Sequence, residues 1–137
     1  MRRYLAVDLG AESGRVIAGR IQDSRLELEE IHRFANTPLH TEKGLFWNAP
    51  ALFDEIKHGL KEASHLQVNG IGIDTWGLDF GLLTEDGRLV ENPRHYRDPK
   101  NQGAMEEAFR TVPREEIFEA TGVQFMDFNS LYQLFRS

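Results

Sequence analysis

Asp8 ends a short apolar run, Leu5-Ala6-Val7, and is followed at once by Gly10, Ala11, Glu12, Ser13, Gly14 and Arg15. A carboxylate at a strand end beside a glycine-bracketed turn suits a metal–phosphate complex. The turn can point several backbone N–H groups at one anion. Magnesium is usually held through one or two carboxylates together with phosphate oxygens. The same residues also describe an ordinary hairpin turn carrying a solvated aspartate. A second group of chemically capable residues lies in GIGIDTWGLDFG, residues 70–81. Trp76 offers a flat apolar face to a sugar ring, and Asp79 can accept hydrogen bonds from hydroxyls. The plainer alternative makes Trp76 a core residue and Asp79 a turn residue. Tyr96, Arg97 and Asp98 repeat the mix of aromatic, cation and carboxylate, or else form a solvated turn before Pro99. The histidines at 32, 40, 58, 65 and 95 show no metal-ligand spacing and read as solvated or hydrogen-bonded. The pairs Phe125/Phe128 and Phe109/Phe118 read as core.

The elements that must position these residues follow from periodicity. Arg2–Leu9, Arg15–Ile21 and Leu26–Phe34 read as three strands, the latter two joined by the polar turn Gln22–Arg25. Connections this short make the strands antiparallel neighbours. In the third, alternation breaks near Glu30, which implies a register shift. Asn36–Phe46 reads as a loop. A helix over about Ala49–Ser64 has Asn48 as its N-cap and Pro50 in its first turn, with Leu52, Ile56, Leu60 and Ala63 on one face. Ile71–Asp74 then reads as an apolar strand buried on both faces of a sheet. Thr84-Glu85-Asp86-Gly87 signals a hairpin. Helices are expected around Gln102–Arg110, from Pro113 to Thr121-Gly122, and from Asn129, as cap, to the end.

With 137 residues, no cysteine and a formal charge of −6, the chain reads as one domain without disulfides or Cys-ligated zinc. The acidic balance argues against nucleic acid as a partner. The start, MRRYLAVDLG, resembles neither a secretory signal nor a membrane span, so the expected location is cytoplasmic.

Taken together, VDLGAESGR, EIHRF (30–34), FW (46–47), GIDTWGLDFGLL (72–83), HYRDP (95–99) and REEIFEATGVQFMDFNSLYQL (114–134) resemble the beginning of the rhamnulokinase branch of the FGGY carbohydrate kinases. The resemblance runs through essentially the whole chain in order. It implies an α/β fold of the RNase H-like, actin/sugar-kinase ATPase type, with a mixed five-stranded sheet and flanking helices. Residues 1–137 would then be the first part of the kinase's N-terminal domain, with the C-terminal ATPase domain absent. The implied activity is ATP- and Mg²⁺-dependent phosphorylation of L-rhamnulose at O1 in rhamnose breakdown.

By position, Gly10, Ala11, Glu12, Ser13, Gly14 and Arg15 would match the phosphate loop. Asp8 would be the magnesium and phosphate-facing carboxylate. Gly77 would contact the sugar through its backbone, alongside Trp76, Asp79, Tyr96 and Arg97. Ala11-Glu12 stand where the wider superfamily has a Thr/Ser pair, which removes the basis for side-chain phosphate contacts there. The family's catalytic aspartate lies beyond Ser137, so the piece alone is expected to be inactive. Apolar surface exposed by truncation is expected to favour self-association. Alternatives are a kinase of another ketose, a non-catalytic sugar-binding module, or a nuclease of the same fold using Asp8, Glu62 and Asp74 as a two-metal carboxylate cluster.

Overall fold

The structure, a computed structural model, describes residues 2–137. The chain divides into two compact units, the first formed by residues 1–37 and 48–77 and the second by residues 38–47 and 78–137.

The first unit is built on three strands, β1 (Arg3–Leu9), β2 (Ser13–Gln22) and β3 (Arg25–Ala35), each antiparallel to the one before. Asp23 and Ser24 close the β2–β3 turn with φ of 50° and 62°, the left-handed pair that a two-residue hairpin needs. The expected register shift is present. Val16 pairs with His32 while Ile17 pairs with Glu30, so Ile31 is the extra residue of a bulge. Helix α1 (Ala49–Glu62) begins under the Asn48 cap, whose side chain accepts from Ala51 N–H at 3.3 Å. It packs on β2 and β3. Leu5 and Ala18 from the sheet close a small core with Ala63, supported by Ile31, Leu60 and Leu66.

The chain then returns as β6 (Gly70–Thr75), parallel to β1, giving the strand order β3-β2-β1-β6. Two expectations need correction here. The sheet has four strands among the described residues, not five. In addition, β6 is not buried on both faces, because Ile71 is 53% and Ile73 66% exposed. Both effects have one cause. β6 is the edge strand, two strands away from the pair that α1 packs on, so its apolar side chains stay exposed.

The second unit contains a small antiparallel pair, β4 (Leu39–Thr41) and β5 (Gly44–Phe46), within the stretch expected to be a loop. It is too short to show a period of two in the sequence. The Asp86-Gly87 turn forms, with Thr84 N–H donating to Arg88 O at 2.8 Å and Val90 N–H to Leu82 O at 2.9 Å. It closes with one isolated bridge, Leu83–Leu89, rather than a ladder. Three short helices follow, α2 (Ala104–Ala108), α3 (Arg114–Thr121) and α4 (Ser130–Phe135). Gly122 ends α3 in the left-handed conformation, as its position suggested. Asn129 precedes α4 but does not cap it through its side chain, which donates instead to Gln124 O at 2.7 Å. Tyr132 on α4 is buried against Ala104 and Ala108 of α2, with Met105, Phe109 and Phe125 around them.

Candidate functional site

In the first unit the chemistry collects where β1 ends. Strand register places Arg33, Arg15, Asp8 and Asp74 side by side across all four strands. Residues directly opposite one another project from the same face of a sheet. That face is the one turned away from α1, since Leu5 and Val7, on the other face, are buried. The row therefore reads cation, cation, carboxylate, carboxylate. Arg15 reaches Asp8 with both arms: Nη2 lies 2.5 Å and Nε 3.1 Å from Oδ2. Arg33 pairs with Glu30 at 2.5 Å. That hydrogen bond is the main cause that holds the Glu30 carboxyl below and the Arg33 guanidinium above their usual ranges.

The loop between β1 and β2 is anchored from behind by Asn36, which is 5% exposed. Asn36 N–H donates to Glu12 O at 3.0 Å, and its side-chain amide donates to Gly10 O at 3.0 Å. Gly10 N–H closes the turn on Ser13 O at 2.9 Å. Among the described residues, the amides of Ala11 and Glu12 meet no protein acceptor. Neither Gly10 nor Gly14 has a positive φ. Gly14 is required by space, because a Cβ there would run into the Phe34 ring on the neighbouring strand. These groups fit both an anion and a cation. Two donor amides and two guanidinium groups suit phosphate, and the hard oxygens of Asp8 and Asp74 suit Mg²⁺.

Asp74, which sequence reading grouped with Asp8 only in the nuclease alternative, joins this site through the parallel pairing of β6 with β1. Trp76 and Gly77 lie just past the end of β6, with Trp76 half-buried and Gly77 exposed. The nuclease arrangement fails. Glu62 engages His58 at 3.2 Å and His32 at 3.6 Å, and Asp8, Glu62 and Asp74 form no cluster of ligands among the described residues.

In the second unit Asp79 accepts from Trp47 and Gln133. The Trp47 indole N–H reaches Oδ2 at 2.6 Å and the Gln133 amide reaches Oδ1 at 3.3 Å. Gln133 also donates to Leu78 O and Phe128 O, which ties α4 to the stretch containing Asp79. Trp47, 2% exposed, stacks on His95 with centroids 4.0 Å apart, and Tyr96 lies 4.6 Å from His95. Arg97 N–H donates to His95 Nδ1 at 2.9 Å, which leaves the proton on Nε2. Burial pushes the His95 imidazole below its ordinary value, against the opposing pull of Asp79. The Arg97 guanidinium lies over the Tyr96 ring at 5.3 Å. Asp79 and Tyr96 are thus joined through Trp47 and His95, and the exposed Arg97 flanks them. Asp98, in contrast, is structural. It is 3% exposed and accepts from Leu45 N–H at 2.5 Å, Lys100 N–H at 2.8 Å and Arg94 at 3.2 Å. Burial works to raise its carboxyl, but these donors outweigh it and hold it below the usual range. Trp47, His95 and Gln133 were not singled out as site residues, because only the fold brings them to Asp79.

The chain is 46% identical over 135 residues to a rhamnulokinase of Bacteroides thetaiotaomicron, covering 97% of this chain and 28% of that enzyme. It is 44% identical over 132 residues to a rhamnulokinase of Oceanobacillus iheyensis, covering 95% and 28%. The chain thus spans about 28% of the length of the curated relatives it matches. No family model matches it. Among solved structures it superposes on a ligand-bound xylulose kinase from Lactobacillus acidophilus with TM-score 0.78 at 12% identity, over 98% of this chain and 28% of that one. A glycerol kinase from Plasmodium falciparum with ADP gives TM-score 0.69 at 16% identity, over 98% and 28%. At those identities the structural likeness establishes the fold alone, and that fold is the actin-like fold of sugar kinases.

Proposed function

We propose, from the premise that this chain is a relative of rhamnulokinases over nearly its whole length, that it forms part of an ATP-dependent carbohydrate kinase. The observation that carries this reading is the cross-strand row Arg33, Arg15, Asp8, Asp74, next to a loop whose Ala11 and Glu12 amides lack protein acceptors. Phosphoryl transfer depends mainly on positioning and charge neutralisation. The loop amides and Arg15 would hold phosphate oxygens. Asp8, with Asp74 beside it, would hold Mg²⁺, which neutralises phosphate charge when bound. Residues 10–15 are the phosphate loop in this reading. Trp76, Gly77, Asp79, Tyr96 and Arg97 contact the sugar. Trp47 and Gln133 orient the Asp79 carboxylate toward its role as an acceptor for sugar hydroxyls.

The substrate is L-rhamnulose, phosphorylated to the 1-phosphate in rhamnose catabolism. The identity to rhamnulokinases supports that choice over another ketose. The segment acts in the cytoplasm as part of an N-terminal kinase domain. No helix among the described residues is long and apolar enough to cross a membrane. The exposed Ile21, Leu26 and Leu28, on the sheet face away from α1, support self-association of the isolated piece.

Titration of the ¹⁵N-labelled chain with Mg·ATP tests the loop, with the largest amide shifts expected at Ala11 and Glu12. Shifts confined to other regions would overturn the assignment. Incubated with labelled ATP and L-rhamnulose, the 137-residue chain alone should transfer no phosphate.

A further inference from the structure

On the opposite face of the sheet from Asp8, β3 and α1 bring together His32, His58 and Glu62. One nitrogen from each histidine and one Glu62 oxygen all lie within 4.8 Å of one another. We propose that these three residues bind a borderline divalent transition-metal ion such as Zn²⁺, which fastens α1 to β3. This site goes beyond the kinase reading and does not depend on it.

The arrangement has a local origin. Glu55, His58, Gly59 and Glu62 fall at i, i+3, i+4 and i+7 and so share one stripe of α1. Gly59 is buried at the middle of that stripe. A Cβ there would strike Val16 and come within 3.2 Å of the His32 Cβ, so glycine is what lets the helix settle on this part of the sheet. His32 thereby rises into the stripe, with its side chain 16% exposed.

The two ring nitrogens of His32 are then differentiated. Glu55 Oε2 lies 2.6 Å from Nε2 and accepts a hydrogen bond from it. Nδ1 is then the nitrogen that faces Glu62 Oε2, 3.6 Å away. The His58 Nε2 stands 3.2 Å from the other Glu62 oxygen, and the two imidazole rings are 4.8 Å apart. In a tetrahedral zinc site with bonds of about 2.0–2.1 Å, neighbouring ligand atoms are roughly 3.3 Å apart. Small rotations of the half-exposed His58 and Glu62 side chains reach that spacing. Glu55 supplies the outer carboxylate that commonly fixes the tautomer and orientation of a metal-binding histidine. Two imidazoles and one carboxylate suit zinc, nickel or copper rather than magnesium, and solvent completes the open side.

The test uses the intact 137-residue chain, stripped with chelator and titrated with Zn²⁺ by calorimetry and with Co²⁺ by visible absorption. One equivalent should bind, producing the intense visible bands of a low-coordinate cobalt centre, and excess Mg²⁺ should not displace it. His58→Ala and Glu62→Gln change half-exposed side chains and should each weaken binding by at least tenfold. Glu55→Gln should weaken it by about tenfold through misorientation of His32. His65→Ala should leave it unchanged. Zinc should raise the melting temperature of the parent chain but not of His58→Ala. Absence of saturable binding would overturn the proposal and leave a hydrogen-bonded His–Glu staple. Binding that survives both His58→Ala and Glu62→Gln would overturn it too.

Discussion

Arg15 sits directly opposite Asp8 in the β1–β2 ladder and grips one of its carboxylate oxygens with both Nη2, at 2.5 Å, and Nε, at 3.1 Å. Both side chains are more than a third exposed, so the pair contributes little to stability. Its consequence is positional. The pair lies at the strand end that leads into the 10–12 loop, where a phosphate oxygen could replace one of its bonds. Arg15→Ala should therefore weaken Mg·ATP binding by about tenfold, the loss expected for one charge-assisted hydrogen bond. Arg15→Lys should fall between, because an ammonium keeps the charge but not the fork. Chemical-shift titration of the three chains provides the comparison.

Gly14 faces Phe34 across the β2–β3 pair with no room for a side chain. Gly14→Ala should destabilise the chain by about 1–3 kcal/mol through overpacking, measured by urea denaturation. Combining it with Phe34→Leu, which frees space at the contact, should recover part of the loss. Additive costs in the double variant would show that the clash is not the cause.

Trp47 donates to Asp79 from a site almost wholly closed to solvent. Trp47→Phe keeps an aromatic surface against His95 but leaves the carboxylate short of one donor. It should cost about 1–3 kcal/mol in chemical denaturation, the range for a hydrogen bond to a charged group plus some lost packing. Asp79→Asn should cost less, because its amide still offers an oxygen to the indole.

His95 gives the pH dependence a definite sign. Burial is the main cause that depresses its folded-state value below the ordinary 6.5. The unfolded chain therefore takes up a proton at a higher pH than the folded chain does. This contribution to stability is fully present above about pH 6.5 and is lost as the pH falls through that value toward the folded pKa. Urea midpoints should drop between about pH 7 and pH 5.5. His95→Gln should lower the midpoint at both pH values yet flatten the difference between them. An unchanged slope in the variant would assign the acid sensitivity to other groups.

What was legible in the sequence is what near neighbours decide. Alternation and short connections determined β1, β2 and β3, including the bulge at Ile31, since both partners of each pairing lie within one hairpin. Asn48 and Gly122 marked helix ends because capping is a local hydrogen-bonding problem. Asp8 and its loop stood out for the same reason. Tertiary structure alone decided the rest. The apolar run of β6 looked buried because periodicity records side-chain type, not strand order, and the edge position leaves Ile71 and Ile73 exposed. Asp74 joined Asp8 only through parallel pairing across more than sixty residues. Trp47 met Asp79, and His32 on β3 met His58 and Glu62 on α1, for a similar reason: the partners come from distant stretches of the chain. Composition and spacing name the groups that can react, but only packing sets which of them share a few ångströms.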